Sequence, residues 1–232
     1  ATITDGNNAT TKSVIAGTDL STTSDDKISI DFGTKDATTA RINEINALAA
    51  QAGVTSITGT LTGVSVADIA LLSSSLSSSN STINFTVDEA VTVAQAEGLL
   101  DHTNTSSAAI QFSAGITDSL SAYAGLGGTT TKLNTIVAED TDLVATVSGT
   151  LGSSAEDITK LNFLASKFDE TTAKIVATIE ATKDKLYSSG AATLSTSSTD
   201  AIGITVTDAV SPTEWAAIKA KTGADSTTVT AS

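Results

Sequence analysis

The chain of 232 residues carries 26 acidic against 12 basic side chains, a formal net charge of −14, with no Cys, no Met and a single His. That balance argues against nucleic acid and anionic membrane surfaces as partners, since phosphate binding needs clustered Lys and Arg, and Arg41 is the only arginine. One His without Cys cannot supply the usual zinc ligand set, and no 18-residue apolar run is present to span a membrane.

From the N-terminus, residues 1–26 read as an extended Thr-rich arm, alternating at Ala1-Thr2-Ile3-Thr4 and turning at Asp5-Gly6-Asn7-Asn8. Residues 27–232 read as a single repeat domain. Ile28-Ser29-Ile30-Asp31-Phe32 alternates and predicts a strand. Asp36 is placed to cap the helix that follows, whose stripe Ile42, Ile45, Leu48 and Ala49 ends near Gly53. The same order of strand, turn and helical stripe returns at Ile57 to Ile69, at Asn84 to Ala96 and at Ile204 to Trp215. Its anchors Ile42, Ile69 and Ala96 stand 27 residues apart. A fourth unit follows Ile110-Gln111-Phe112, with its anchor near Ala122. After a longer gap through Gly125-Leu126-Gly127-Gly128, another unit runs from Val144-Ala145-Thr146-Val147 to its anchor Ile158. A degenerate copy spans Ile175 to Leu186.

Ser65 and Ser211 occupy cap-like sites, with Pro212 at the first helical position and Glu214 at capping-box spacing. The stretches Leu71 to Asn80 and Ser188 to Thr199 fade into serine-rich loops, and Thr227 to Thr230 predicts a last strand. Thr (42 residues) and Ser (30) make up about a third of the chain, yet the apolar 40% falls in periodic positions, which disorder does not explain. The fold class expected is therefore α/β, a repeat solenoid with one short helix per turn of about 27 residues. Its strands stack in one parallel sheet with right-handed crossovers. Ile42, Ile45, Leu48, Ile69, Leu72, Ile158, Leu161 and Leu164 should be buried on the helix faces, and Trp215 should pack the terminal unit.

No catalytic or cofactor-binding residue is assigned. His102, in Leu100-Asp101-His102-Thr103-Asn104, reads as an exposed loop histidine, because the chain has no Gly-x-Ser-x-Gly elbow and its serines are too numerous to single one out. The stretch Gly125-Leu126-Gly127-Gly128-Thr129-Thr130-Thr131-Lys132 fails the dinucleotide pattern at Thr130. It also lacks the glycine before lysine that a phosphate loop needs. Calcium takes oxygen ligands, and the acidic groupings are Asp5 to Asn8, Asp25-Asp26, Asp31 with Asp36, Asp88-Glu89, and Glu139-Asp140 with Asp142. None matches an EF-hand loop, so calcium stays open with no ligand assigned. Glycosylation sequons stand at Asn8, Asn80, Asn84 and Asn104, several of them expected by chance in so Ser/Thr-rich a chain.

The runs Thr-Val-Asp-Glu-Ala-Val-Thr-Val-Ala-Gln-Ala at 86–96 and Thr-Val-Thr-Asp-Ala-Val-Ser-Pro-Thr-Glu-Trp at 205–215 resemble tandem Ala/Thr/Ser-rich units of large secreted bacterial surface proteins. Those of cyanobacterial, S-layer and adhesin-like exoproteins are the comparison, over residues 27–221. The resemblance implies secretion and self-association or adhesion, and it supplies no catalytic residues. The functional expectation is an extracellular structural or adhesive protein, not an enzyme, that forms a homo-oligomer or polymer in a surface layer or filament. A cell-surface glycan is a further partner to consider. The alternative is a calcium- or carbohydrate-binding module of a larger secreted protein. The lack of Cys, the polar surface and a start at Ala1 without an initiator Met agree with secretion or with a fragment of something longer.

Overall fold

The computed structural model describes residues 2–4, 23–76, 81–102, 109–125, 130–152, 154–168, 172–223 and 229–231. Most of the expected N-terminal arm, including its turn at residues 5–8, lies outside the described residues. The chain divides into two compact units, Ala1–Ala114 and Gly115–Ser232.

In the first unit, β1 (Thr2–Thr4), β2 (Ile28–Asp36), β3 (Val54–Val64), β4 (Ser81–Val87) and β5 (Ile110–Phe112) form one sheet in chain order. Every pairing is parallel, with Ile30 opposite Ile57 and Phe85 opposite Ile110. Parallel neighbours need a crossover, and among the described residues three carry a helix: α1 (Thr39–Ala49), α2 (Val66–Ile69) and α3 (Val93–Leu100). Strand alternation decides which face is covered. In β4, Ser81, Ile83, Phe85 and Val87 are buried while Thr82 and Asn84 are exposed. The helix stripes supply the other half of the core, with Ile42, Ile45 and Leu48 from α1 and Val93, Ala96 and Leu99 from α3.

The local signals act mostly as read, with two corrections. Thr38, not Asp36, caps α1 by accepting from the Arg41 amide. Asp36 is still within β2, and its carboxylate accepts from the Thr62 hydroxyl at 3.1 Å. Ser65 closes a capping box with Asp68 on α2. That helix is a single turn, too short to present a full stripe, so Ile69 and Leu72 are half-buried rather than in the core. Gly59 is required by close approach. A Cβ there would stand 2.5 Å from Cε2 of the buried Phe32 and 2.7 Å from the Gly33 carbonyl.

In the second unit, β6 (Ile116–Asp118), β7 (Val144–Leu151), β8 (Lys174–Ala181), β11 (Ala201–Val206) and β12 (Val229–Ala231) form a second parallel sheet in chain order. Between them lie α4 (Leu120–Gly125), α5 (Thr130–Glu139), α6 (Ala155–Phe168), α7 (Lys183–Leu186) and α8 (Pro212–Lys219). Ile158, Leu161 and Leu164 are buried as expected, and Ser211 closes its capping box with Glu214 over Pro212. Three features differ from expectation. Helix α5 fills part of the glycine-led gap, burying Leu133, Ile136 and Val137 at helical spacing. At the fourth anchor Leu120 and Tyr123 are buried, and Ala122 only half so. The second serine-rich loop contains an antiparallel hairpin, β9 (Tyr187–Ser188) with β10 (Ala191–Ala192). Its two-residue turn needs positive φ at both positions, and Ser189 (55°) and Gly190 (84°) provide it.

The class is α/β with parallel sheets, but there are two sheets where one was expected. Only Ser113, Ala114 and Gly115 separate β5 from β6. A parallel neighbour needs a connection of a dozen residues or more, which three residues do not supply.

Candidate functional site

His102 follows the C-terminus of α3 and is half-buried, not the exposed loop residue expected. The Leu76 carbonyl lies 2.5 Å from Nδ1 and can only accept, so Nδ1 is the donor. The backbone carbonyl of His102 accepts from the hydroxyl of Ser81, which is buried at the start of β4. His102 and Asp101 line a cavity of 320 Å³ with Leu72, Ser74 and Leu76. The hydrogen bond from the imidazole to the Leu76 carbonyl ties a loop to a helix end.

A larger cleft of 460 Å³ opens at the carboxyl ends of β7, β8 and β11, where parallel α/β sheets commonly bind ligands. Thr150, Gly152, Glu180, Thr182, Lys185 and Thr207 line it, with Leu151 and Ala181 at its apolar side. Glu180 and Lys185 are both exposed, so the rim offers a charged acceptor, a charged donor and three hydroxyls. Such a lining can exchange hydrogen bonds with a polyhydroxylated molecule.

Within the acidic groupings, Asp26, Asp31 and Glu89 bind backbone amides. Asp26 accepts from the Thr23 amide at 2.7 Å and from its hydroxyl, and these bonds hold its carboxyl below the usual range. Asp31 accepts from the Gly33 amide. Glu89 reaches the amide of Val66, the first residue of α2, at 3.0 Å. Asp208 does the same at Lys183, the first residue of α7, at 2.6 Å. Glu139 and Asp140 are buried, while Asp142 is exposed. Among the described residues no three His, Cys, Asp or Glu side chains come together as a metal-binding group. The grouping at residues 5–8 lies outside the described residues.

Other residues fall as follows. Gly125 ends α4 and Lys132 lies in α5, while residues 126–129 are outside the described residues. Asn84 is exposed on β4, and the sequons at 8, 80 and 104 are outside the described residues. Trp215 is half-buried on α8, with Ile218 as the buried residue of that helix. Tyr123 is buried and donates its hydroxyl to the Ile116 carbonyl at 2.6 Å. Burial first, and the charge of Asp118 second, push its pKa far above that of an ordinary phenol.

Sequence reasoning missed two asparagines. Asn46 on α1 donates to the Leu71 carbonyl at 2.7 Å and accepts from the Ser73 amide at 3.0 Å. Asn162 on α6 donates to the Thr193 carbonyl at 2.9 Å and accepts from the Ser195 amide at 2.8 Å. Each pairs its amide with both backbone groups of a loop more than 20 residues away. An asparagine in the middle of a helix, where its propensity is poor, was the available signal.

No helix among the described residues is long and apolar enough to cross a membrane. No protein-family model matches the chain, and comparison with curated proteins and with solved structures gives no match.

Proposed function

We propose that the protein is an extracellular structural or adhesive protein, a strand–helix repeat solenoid that self-associates into a surface layer or filament. This extends the likeness to Ala/Thr/Ser-rich units of secreted bacterial surface proteins. The observation that carries the reading is the chain-order parallel stacking of strands in each unit, closed at the chain termini by β1 and β12. Each of these two strands pairs on one side only among the described residues. Neither carries a charged residue, so the usual electrostatic guard of a sheet edge is missing. A strand from a second copy can extend either sheet through main-chain hydrogen bonds, and such head-to-tail contacts propagate when they do not close into a ring.

Sedimentation velocity of the intact chain beside a version lacking residues 1–26 tests this across salt and calcium concentrations. The intact chain should form large species that the truncated one does not. If both stay monomeric throughout, the self-assembly reading is wrong. The polar 460 Å³ cleft favours one second reading, a carbohydrate-binding module, which retention on a polysaccharide matrix without self-association would support.

A further inference from the structure

We infer that the two units are copies of one module, duplicated in tandem at an offset of about 116–119 residues, a level of organisation above any 27-residue period. The order of strands and helices matches apart from one insertion. In the first unit β2, α1, β3, α2, β4, α3 and β5 follow one another, and in the second β7, α6, β8, α7, β11, α8 and β12 do so with the hairpin β9–β10 inserted between α7 and β11. Both sheets place their strands in that order, with β1 and β6 as the three-residue first strands. The second helices of the two series, α2 and α7, are each 4 residues long, and the third, α3 and α8, are each 8.

A shared strand–helix layout constrains topology only. It does not dictate which side chains hold one turn to the next, and those agree as well. Asn46 is the eighth residue of α1 and Asn162 the eighth of α6, and both bridge a carbonyl and the amide of a serine two residues later. The two asparagines are 116 residues apart, as are Gly33 and Gly149. These glycines have φ of 65° and 82° and fall where the pairings of β2 with β3 and of β7 with β8 lose register. Glu89 and Asp208 each stand two residues beyond the last residue of their strand, and each accepts from the first amide of the preceding short helix. The following helices open with equivalent capping boxes, Thr92 with Gln95 and Ser211 with Glu214. Across this stretch Thr-Val-Asp-Glu-Ala-Val-Thr at 86–92 aligns with Thr-Val-Thr-Asp-Ala-Val-Ser at 205–211, 119 residues on.

Besides the inserted hairpin, the copies part at the cap of the short helix. Asp68 completes the capping box with Ser65 on α2, whereas Lys185 holds that position on α7 and Thr182 makes no side-chain cap. Lys185 and Thr182 line the 460 Å³ cleft, so the position that caps α2 in the first copy is cleft surface in the second.

Reciprocal transplants in the full-length chain test the inference. In one, residues 205–214 replace residues 86–95. In the other, 86–95 replace 205–214, leaving Trp215 as reporter. Each is paired with a control in which the donor segment is shifted by one residue, which turns apolar side chains to the wrong face. Amide exchange of β4 or β11, read by mass spectrometry, should stay within about threefold of the parent for at least one in-register transplant. It should accelerate about a hundredfold or more in the shifted controls. The inference is overturned if both in-register transplants exchange as fast as their controls, or if the controls are as protected as the in-register chains.

Discussion

Leu161 is 0% exposed and lies between Ile158 and Leu164 on the buried stripe of α6, so Leu161→Ala is a direct test of that stripe as core. The truncation removes three carbons, worth about 2.4 kcal/mol at about 0.8 kcal/mol per buried methylene. Incomplete collapse of the cavity raises the loss, within the range of about 2–5 kcal/mol typical of such changes. Alanine returns only a few tenths through helix propensity, leaving a net loss of about 3 kcal/mol. With a urea dependence of about 2 kcal/mol per molar, the unfolding midpoint falls by about 1.5 M. The single Trp and both Tyr lie in the second unit, at positions 215, 123 and 187, so intrinsic fluorescence follows that unit alone. Leu71→Ala, at a residue 37% exposed beyond α2, is the surface control and should cost less than about 0.5 kcal/mol by circular dichroism. A midpoint shift below about 0.3 M for Leu161→Ala, at unchanged slope, refutes the placement of the stripe in the core.

Gly59→Ala should cost about 2–3 kcal/mol, because the new methyl meets the Phe32 ring and a backbone carbonyl that cannot step aside; thermal melting followed by circular dichroism checks it, and a neutral outcome rejects the close approach of β3 to Phe32. Ser211→Ala should cost about 1 kcal/mol through loss of the side-chain acceptor for the Glu214 amide, with Ser211→Gly milder, and fluorescence-detected urea unfolding separates the two. Glu214 has its carboxyl held below the usual range, first by the Ser211 amide and then by the Ser211 hydroxyl. A depressed folded-state pKa means that this stabilisation is complete above the unfolded value of about 4.3–4.5 and is lost as pH falls through the folded value. Acid unfolding of Glu214→Gln should therefore show a weaker dependence on pH below that point, and an unchanged profile rules out the contribution.

How far the candidate sites were legible depends on the range of the interaction. Ser65 and Ser211 announce themselves because a cap and its partner are three residues apart. The clamps of Glu89 on Val66 and Asp208 on Lys183 span 23 and 25 residues, and nothing local distinguishes these carboxylates from solvated ones. His102 looked like a loop residue because its partner, the Leu76 carbonyl, belongs to a different loop. The cleft beside Lys185 collects residues from three strand ends, an arrangement with no trace in any single stretch of sequence.

The sequence by itself determined the α/β class, the helix stripes at Ile42, Ile45 and Leu48 and at Ile158, Leu161 and Leu164, and the caps at Ser65 and Ser211. All of these rest on periodicity and hydrogen bonds within a few residues. Tertiary structure alone decided that α2 stops after one turn and leaves Ile69 half-buried, and that Leu133, Ile136 and Val137 make α5 a core helix. It also decided that the strands divide into two parallel sheets where three residues separate β5 from β6. The first two outcomes depend on which surfaces meet in the folded chain, where burial outweighs local preference, and the third goes with a connection too short for a parallel crossover.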